Sequence, residues 1–392
     1  MENKTPTPSI VIACGGTGGH LFPGLAVAEE LLMRGCQVTL MVSPKDVDQQ
    51  AVKAVRGMDV VTLPAVGLQR GQYLKFFLKF WQSRQLCMAR FREKAPHAVL
   101  AMGGFTSVAP ILAGRSFGAK TFLHDSNTIP GRANRWLAPK VDQAFTWFPQ
   151  TEAHLKAPKV MSVGMPVRAQ FEPLDPEGCK TALGFNPAKP LLLIMGGSQG
   201  ARGINQLVLH MLPNLKLMSP ELQYLHLTGA EDFERVQNAY AAQKAKAFVR
   251  PFFSEMELAM GAASAAISRA GASSLAEIAA MRLPTVLIPF PQAADNHQYH
   301  NARAFVDTNA ARIMEQRNGR PEALNLVLLE LIGNRSTREA IGHALAQWHT
   351  PSAAANMAET ILQSIRQGRS KALSAAAGAG VAVPASDVVV GR

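Results

Sequence analysis

The chain carries the same sequence of strand, glycine loop and helix twice, and this repeat constrains its fold more than any other feature. The first loop is Cys14-Gly15-Gly16-Thr17-Gly18-Gly19-His20, and the second is Met195-Gly196-Gly197-Ser198-Gln199-Gly200. An apolar stretch with strand character precedes each loop, and a helical pattern follows it. Backbone N–H groups at a helix start favour oxyanions, and glycine lets a ligand approach the backbone. Two such loops predict two similar halves and a site for an oxyanion such as diphosphate.

A tight structural turn is the alternative role for each loop, because glycine serves that need as well. The first loop is not a dinucleotide fingerprint, since counting from Gly16 places Leu21 where the third glycine would stand. No P-loop lysine follows either loop in the sequence. The repetition of the pattern is therefore what favours ligand binding over a simple turn.

Stretches of strand character alternate with helical patterns along the chain. They occur at 98–102, 120–124, 191–195, 224–228 and 285–289. Such alternation is typical of parallel sheets that are covered by helices. A length of 392 residues with 47% hydrophobic residues suffices for two or three domains with their own cores. We therefore predict an α/β fold of two doubly wound domains that face a cleft, with the chain crossing between them near 163–168.

The composition points to an anionic partner and to a reducing compartment. The formal net charge is +12, which suits nucleic acid, an acidic membrane or a phosphorylated substrate. The sequence shows no signal peptide and no apolar run of about 18 residues, so we expect a cytoplasmic protein. Four cysteines lie apart without metal-ligand spacing: Cys14, Cys36, Cys87 and Cys179.

A basic segment rich in aromatic residues spans 66–96, and Glu93 is its only acid. Aromatic rings on such a helix enter the headgroup region of a bilayer while lysines meet anionic lipid. The alternative is a core-facing helix with a solvated basic side. Nucleic-acid binding is disfavoured, because no nucleic-acid motif accompanies the basic residues. The residues predicted to contact the membrane are Leu74, Lys75, Phe77, Leu78, Lys79 and Trp81.

Two segments of the second half have the polar chemistry of a ligand site. Small residues open a helix after 265–267, and Glu277 in that helix can accept two hydrogen bonds from a ribose diol. Its alternative role is an acid that stabilises the helix dipole. The segment 289–302 is dense in amides and imidazoles, which suits a polyol such as a sugar. Zinc binding by His297 and His300 is the competing role, but Asp295 is their only flanking carboxylate.

Six motifs occur in one order along the chain, and the ordered set is far more specific than any one of them. They are Gly15-Gly16-Thr17-Gly18-Gly19-His20, Gly103-Gly104-Phe105, His124-Asp125-Ser126-Asn127 with Pro130-Gly131, Gly164-Met165-Pro166-Val167-Arg168, Gly196-Gly197-Ser198-Gln199-Gly200-Ala201-Arg202, and Ser268-Arg269-Ala270-Gly271 with Glu277. In this order they resemble the motifs of the peptidoglycan N-acetylglucosaminyltransferases, a family within the GT-B glycosyltransferases. The resemblance spans roughly residues 9–365.

The resemblance implies a GT-B fold, in which two Rossmann-like domains are followed by a last helix that returns to the first. We expect an acceptor and membrane-associating domain at 1–165 and a UDP-sugar-binding domain at 166–345. The returning helix is expected at 346–368. The segment 369–392 is a tract of Ala, Gly and Val, and we expect a disordered tail there.

The resemblance also implies the reaction. It is the transfer of N-acetylglucosamine from UDP-N-acetylglucosamine to the C4 hydroxyl of undecaprenyl-diphosphate N-acetylmuramoyl-pentapeptide, known as lipid I, with inversion, in peptidoglycan synthesis. A single in-line displacement needs a base near the acceptor hydroxyl and stabilisation of the departing UDP. His20 is the predicted base, since imidazole is neutral at pH 7, and its alternative role is to cap the loop. Asp125 is the second predicted catalytic residue.

Further site residues are carried over from the family, position by position. Glu277 would hold the ribose, Phe253 would present its backbone to uracil, and Gln298 would lie near the donor sugar. The predicted donor-binding residues are Thr17, Gly18, Gly19, Asn127, Arg168, Ser198, Gln199, Phe253, Arg269, Ala272, Glu277, Gln298 and Asn301. The predicted acceptor-side residues are Gly15, Gly16, Gly104, Phe105 and His124.

No cofactor is expected to be required, and a divalent cation is expected to be at most stimulatory. Asp46-Val47-Asp48 matches the Asp-x-Asp pattern of metal-dependent glycosyltransferases, but it follows the second strand of the acceptor half. We interpret it as a chance surface match. The expected partners are UDP-N-acetylglucosamine, lipid I, anionic lipids at the cytoplasmic face of the plasma (inner) membrane, and other cell-wall and division proteins, but no nucleic acid.

The chain departs from the family pattern in two motifs. Asp125-Ser126 stands where the family usually has Glu-Gln, which withdraws the carboxylate by one methylene, and Met165 stands where the family has Asn. Two other functions remain open. One is a related GT-B glycosyltransferase with another lipid acceptor, and the other is a non-catalytic scaffold that binds nucleotide sugars at the membrane.

Overall fold

The computed structural model describes residues 7–16, 18–45, 48–49, 52–53, 56–67, 71–197 and 200–378. This part of the chain forms two compact units. Unit 1 comprises the described residues within Met1–Asp125, Pro130–Pro166 and Ser352–Arg392. Unit 2 comprises those within Ser126–Ile129 and Val167–Pro351.

Strands and helices alternate in both units, as the sequence pattern predicts. The strands are β1 (Ser9–Ala13), β2 (Gln37–Val42), β3 (Asp59–Thr62), β4 (Ala98–Ala101), β5 (Lys120–Asp125), β6 (Gln143–Thr146), β7 (Val160–Ser162), β8 (Leu191–Met195), β9 (Gln223–Leu227), β10 (Ala247–Arg250), β11 (Ala265–Ser268), β12 (Thr285–Leu287) and β13 (Arg312–Ile313). The helices are α1 (Gly18–Met33), α2 (Tyr73–Glu93), α3 (Val108–Ser116), α4 (Arg132–Leu137), α5 (Pro176–Ala182), α6 (Arg202–Met218), α7 (Phe233–Ala242), α8 (Met256–Ala262), α9 (Ala272–Ala280), α10 (His297–Asp307), α11 (Pro321–Gly333), α12 (Arg335–Ala346) and α13 (Ala353–Gly378).

Unit 1 is built on a seven-stranded parallel sheet with the order β3-β2-β1-β4-β5-β6-β7. Strand β1 is a continuous run of buried residues, as is typical of a parallel sheet with helices on both faces. The strand order reverses at β1, which pairs with β2 on one side and with β4 on the other. Loops that follow strands at such a switch point leave a crevice at the carboxyl edge of the sheet. The first glycine loop and Gly103-Gly104 therefore share this edge.

Two apolar clusters cover the two faces of this sheet. Alternate residues of β1 enter different clusters, Ile10 one and Val11 the other, because successive strand side chains point to opposite faces. The cluster around Ile10 also contains Met357 and Ile361 of α13. The last helix thus packs within unit 1, which confirms the returning helix.

The predicted tail needs correction at its start. Helix α13 continues to Gly378, so the segment from 369 to 378 is helical rather than disordered. Alanine has the highest intrinsic helix propensity, and an Ala-rich stretch extends a helix that packing has already nucleated. The rest of the predicted tail, 379–392, lies outside the described residues.

Unit 2 contains a six-stranded parallel sheet with the order β10-β9-β8-β11-β12-β13. Strand β8 is fully buried and pairs with both β9 and β11, so the order reverses at β8. The second glycine loop follows β8, and Arg269-Ala270-Gly271 follows β11. Both segments lie at the carboxyl edge of the switch point, where doubly wound sheets bind ligands.

No helix in the described residues has both the length and the apolar character needed to span a bilayer.

Candidate functional site

The first glycine loop makes a close backbone approach at the end of β1. A Cβ atom on Gly15 would overlap the backbone of Ser43, and Gly16 has a φ of +114°, so both positions require glycine. Gly18 and Gly19 begin α1 and are half-buried. Thr17, predicted to contact the donor, lies outside the described residues.

His20 lies in the first turn of α1 and is half-buried. Its ring lies against Gly103 and Gly104, which both have positive φ, at +118° and +74°. A Cβ atom on Gly103 would stand 2.8 Å from Nε2 of His20. The structure therefore brings the predicted base and the predicted acceptor-side Gly104 together. Gly103 completes this contact, and its place in the Gly-Gly pair after β4 is the sequence signal for it.

His124 is the second-to-last residue of β5 and is fully buried. Its Nε2 lies 3.1 Å from the carbonyl oxygen of Gly164. Burial lowers the pKa of His124 from 6.5 to about 4, and the nearby His20 lowers it further, against the opposing effect of the Gly164 carbonyl. His124 is therefore neutral at pH 7, and its electrostatic coupling to His20 places both imidazoles in one region of unit 1.

Asp125 is buried at the end of β5, and one of its oxygens closes the next loop. Its Oδ2 accepts the Gly131 N–H at 3.1 Å and the Nδ2–H of Asn134 at 2.8 Å. The carboxylate thus positions the chain as it turns into α4. Sequence reasoning missed Asn134, for which no local signal exists. Met165, the other departure from the family pattern, is a buried core residue.

Helix α2 presents the predicted apolar face to the surface. Leu74 is 75% exposed, Phe77 62% and Trp81 56%, while the buried residues of this helix are Ser83, Cys87 and Phe91. The core-facing alternative is therefore wrong for this face.

Other residues of the α2 region surround the exposed face. Leu78 and Lys75 are exposed, and Lys79 is half-buried and donates to Gln82 Oε1. Phe105, predicted on the acceptor side, makes an edge-to-face contact with Phe76 of α2 at 5.5 Å between ring centroids. The start of α2 thus packs against the segment that follows Gly103-Gly104.

The second glycine loop has the same close packing in unit 2. Gly197 and Gly200 have φ values of +95° and +76°. A Cβ atom on Gly200 would overlap the backbone of Thr228, which follows β9. Ser198 and Gln199, predicted to contact the nucleotide, lie outside the described residues.

Arg168 and Glu277 form an ion pair in unit 2. Arg168 Nη2 lies 3.5 Å from Glu277 Oε1, and only 14% of the Glu277 side chain is exposed. Burial raises the pKa of Glu277 from 4.5 to about 7, while the charge and hydrogen bond of Arg168 oppose this rise. A carboxyl group that is poised near neutrality and partly accessible is typical of functional sites.

Arg269 gathers three loops at the carboxyl edge of the second sheet. Its Nη1 donates to the carbonyl oxygens of Ile288 and Pro289 at 3.0 and 3.2 Å, and its Nη2 donates to Gln316 Oε1 at 2.8 Å. Burial lowers its pKa to about 10, so the guanidinium stays charged at pH 7. Gln316 in turn occupies the space beside Gly203, where a Cβ atom would overlap it. Arg269 thus fixes the positions of these loops at the carboxyl edge of the sheet, and its predicted nucleotide contact stays a prediction.

Asn301 is fully buried on α10, and its amide is occupied by protein groups. Its Oδ1 accepts the N–H and the hydroxyl of Thr128, both at 3.0 Å. Its Nδ2 donates to Asn127 Oδ1 at 3.0 Å and to the carbonyl oxygen of Ala270 at 3.3 Å. Two predicted donor-binding residues, Asn127 and Asn301, therefore contact each other directly.

The remaining predicted donor residues lie elsewhere in unit 2, two of them in the first turn of a helix. Gln298 Oε1 accepts the N–H of Phe290 at 3.0 Å. Phe253 is half-buried and packs edge-to-face on Phe248 at 5.9 Å. Ala272 is the buried first residue of α9.

In the described ranges, no three His, Cys, Asp or Glu side chains converge as a metal site requires. The interpretation of the Asp-x-Asp match as a surface feature is wrong for Asp48, because this residue is fully buried. Its partners Asp46 and Val47 lie outside the described residues.

Comparison with known protein families gives two matches in chain order. Residues 10–146 match the glycosyltransferase family 28 N-terminal domain, and residues 191–357 match the glycosyltransferase family 28 C-terminal domain. The two models together cover most of the chain.

Curated relatives align over nearly the whole chain. A protein of Anaeromyxobacter dehalogenans is 34% identical over 369 residues, covering 91% of this chain and 93% of its own length. A protein of Nitratidesulfovibrio vulgaris is 35% identical over 381 residues, covering 92% of this chain and 98% of its own length. Both are named UDP-N-acetylglucosamine--N-acetylmuramyl-(pentapeptide) pyrophosphoryl-undecaprenol N-acetylglucosamine transferase.

Solved structures with the same fold include Acinetobacter baumannii MurG, with a TM-score of 0.72 and 27% identity over 91% of this chain and 100% of that chain. TcCGT1 in complex with UDP has a TM-score of 0.69 at 11% identity, covering 92% of this chain and 99% of that chain, and shows the shared fold alone.

Proposed function

The chain belongs to glycosyltransferase family 28, and on that premise we propose that it transfers N-acetylglucosamine from UDP-N-acetylglucosamine to the C4 hydroxyl of lipid I. One observation carries the proposal. Curated relatives named for this transfer align with most of the chain, at 34% identity over 91% of its length in one case. The product would be lipid II, formed with inversion at the anomeric carbon during peptidoglycan synthesis.

The geometry of unit 2 supports a UDP-sugar site. When ionised, the Glu277 carboxylate can accept two hydrogen bonds from the ribose diol. Arg168 Nη2, which lies 3.5 Å from Glu277 Oε1, stabilises the negative charge. The departing diphosphate would be stabilised by N–H groups of the loop after β8 and of the first turn of α9, which begins at Ala272. This scheme requires no metal, and a divalent cation would be at most stimulatory.

The geometry of unit 1 supports an acceptor site with His20 as the base. His20 stands at the start of α1 against the glycine pair after β4, and the neighbouring His124 is neutral at pH 7. A neutral imidazole can take the proton of the acceptor hydroxyl as the bond to the anomeric carbon forms. Asp125 would act by holding the loop that leads into α4, through Gly131 and Asn134.

The exposed face of α2 supports attachment to the membrane that carries lipid I. Leu74, Phe77, Leu78 and Trp81 would enter the headgroup region, and Lys75 and Lys79 would meet anionic lipid. The protein would act at the cytoplasmic face of the plasma (inner) membrane as a peripheral enzyme. At that location the protein would work beside other cell-wall and division proteins and would affect cell shape.

Release of UDP tests this function. The protein is incubated with UDP-N-acetylglucosamine and a short-chain lipid I analogue, and UDP release is followed with and without a competing diacylglycerol or prenyl acceptor. We expect release that depends on the lipid I analogue and is insensitive to the competitor. A preference for the competitor would instead favour a related enzyme. No release by a protein that still binds UDP would favour a non-catalytic scaffold.

A further inference from the structure

One buried carboxylate lies directly beneath the first glycine loop. Asp48, which follows β2, has no exposed surface. Its Oδ2 accepts the Gly16 N–H at 2.6 Å, the Ser43 N–H at 3.1 Å and the Ser43 Oγ–H at 2.6 Å. Three donors on one oxygen is the arrangement that makes a buried carboxylate tolerable.

The same segment also holds the other side of the glycine peptide. Lys45 Nζ donates to the carbonyl oxygen of Gly16 at 2.7 Å. The N–H and the C=O of Gly16 are therefore both fixed by the segment after β2. Gly15 lies so close to Ser43 that a Cβ atom on it would overlap the Ser43 backbone. The loop is clamped to this segment by packing and by hydrogen bonds.

This clamp, formed by Ser43, Lys45 and Asp48 on Gly15 and Gly16, affects the position of the predicted base His20 through the backbone. Two residues after Gly16 the chain enters α1 at Gly18, and His20 lies in its first turn. The His20 ring in turn lies against Gly103 and Gly104. A shift of the Gly16 peptide would thus move the start of α1, and with it the imidazole and the helix N–H groups.

We propose that Asp48 is a positioning residue for the acceptor half, which fixes the Gly16 peptide and so holds the start of α1 and His20 in place for the lipid-linked acceptor. The proposal rests on the proposed function for the identity of the acceptor. It gives a role to the second aspartate of the Asp-x-Asp match that involves no metal.

Two substitutions separate the hydrogen bonds that Asp48 accepts from its negative charge. Asp48→Ala removes the oxygen that takes all three hydrogen bonds. Asp48→Asn keeps one such oxygen and places its NH2 group where Oδ1 now lies, a buried atom without a hydrogen-bond partner in the described structure. We expect Asp48→Ala to raise KM for a lipid I analogue by about tenfold or more, with a smaller rise in KM for UDP-N-acetylglucosamine, because the predicted donor residues Gly18 and Gly19 also lie at the start of α1. The KM of Asp48→Asn for the lipid I analogue should lie between those of Asp48→Ala and the wild type.

Asp142→Ala is the matched control within unit 1. Asp142 Oδ2 accepts the N–H and the Oγ1–H of Thr121 at 2.7 and 2.9 Å, which is the same pair of donor types that Ser43 offers Asp48. Asp142, however, lies before β6, at the amino edge of the sheet. We expect this variant to lose stability without any change in KM for the acceptor.

Deuterium uptake gives a readout that needs no turnover. Peptides that span residues 14–21 are compared by mass spectrometry in the wild type, Asp48→Ala and Asp142→Ala without substrate. We expect faster uptake in Asp48→Ala alone. Because this measurement is independent of lipid I, it tests the clamp even if the protein does not use that acceptor.

The outcomes that overturn the proposal are distinct from failure of the proposed function. Unchanged uptake over 14–21 in a folded Asp48→Ala protein would refute the clamp. If KM for both substrates rose equally in Asp48→Ala, and Asp142→Ala showed the same rises, Asp48 would have a merely structural role. Should Asp48→Ala fail to fold, Ser43→Ala removes one donor to the same oxygen and must raise uptake and acceptor KM in the same direction, to a smaller extent.

Discussion

Glu277 is the predicted donor-binding residue whose pKa burial moves to neutral pH. Burial places its pKa at about 7, above the ordinary 4.5, so about half of the unliganded protein carries a neutral Glu277 at neutral pH. The ionised carboxylate accepts hydrogen bonds from a ribose diol on both oxygens, whereas in the protonated form one oxygen carries an O–H donor. Affinity for UDP should therefore rise by up to about tenfold between pH 6 and 8 as Glu277 loses its proton. Titration calorimetry of UDP binding at both pH values measures this change.

Glu277→Gln is the control, because it keeps the shape of the side chain and removes the titration. We expect weaker UDP binding and a flatter pH dependence in this variant. An identical pH dependence in the wild type and in Glu277→Gln would assign the titration to UDP itself and contradict the role of this carboxylate.

A second pH effect concerns stability and the buried His226. It is hydrogen-bonded to Tyr240 and Asn205, and burial lowers its pKa from 6.5 to about 3. The folded state thus keeps His226 neutral at pH 5, whereas the unfolded state protonates it. The stability that it contributes is fully present above pH 6.5 and is lost as the pH falls towards 3.

We expect His226→Gln to remove this pH dependence. The difference in free energy of unfolding between wild type and His226→Gln should shrink by about 2 kcal/mol between pH 7.5 and pH 5. Urea titrations of both proteins at the two pH values measure the difference. A constant difference would mean that His226 binds a proton in the folded state.

The positions of residues that follow a strand and a glycine-rich loop could be predicted from the sequence. Contacts between residues that are far apart in the chain could not. Glu277 and His20 stand in helices directly after glycine-rich loops, so their positions follow from strand-loop-helix order. Asn301 instead meets Thr128 across 173 residues of chain. Burial of Asp48 likewise depends on how the segment after β2 meets the first glycine loop. A single sequence has no local pattern that encodes such contacts.

At the scale of single elements, α2 carries the membrane prediction. Phe77 and Trp81 are exposed on it, and removing both rings should weaken binding to vesicles that contain anionic lipid by about tenfold or more. We propose Phe77→Ser with Trp81→Ser, measured by vesicle sedimentation, and Leu217→Ser as control, since Leu217 is equally apolar and exposed on α6 of unit 2. Equal binding by all three proteins would show that α2 is not the membrane contact.

Helix α13 is the element that completes the core of unit 1. Ile361 on this helix is fully buried in the cluster with Ile10. Ile361→Ala should lower the free energy of unfolding by about 3 kcal/mol, because it removes buried methyl groups and leaves a cavity. Gln363→Ala, on the exposed side of the same helix, should change it by less than about 0.5 kcal/mol. Similar urea midpoints for both variants would contradict the packing role of α13.

The limits of α13 show why element ends are hard to predict. Its apolar periodicity ends near 367, and the Ala-rich stretch that follows has no amphipathic pattern. The helix nevertheless continues to Gly378, and alanine is the residue with the highest helix propensity. Periodicity detects the part of a helix that packs on a core and gives no signal for an extension whose sequence lacks that pattern.

At the scale of the whole molecule, the two doubly wound units were predictable because the strand and helix periods are local and repeated. The division of the chain between them was not predictable in detail. Unit 2 includes the short segment Ser126–Ile129 inside the stretch that the sequence assigns to the first domain. Within this segment, Thr128 donates two hydrogen bonds to Asn301 of the same unit.

The proposed reaction, transfer of N-acetylglucosamine onto lipid I with inversion, engages the whole molecule. The most direct measurement is the structure of the lipid product after incubation with UDP-N-acetylglucosamine and a lipid I analogue, determined by mass spectrometry and NMR. We expect a single added N-acetylhexosamine, in β linkage to the C4 oxygen of the muramoyl sugar, and no such product from His20→Ala. An α linkage, a different attachment point, or free N-acetylglucosamine without a glycosylated lipid would contradict the proposed reaction.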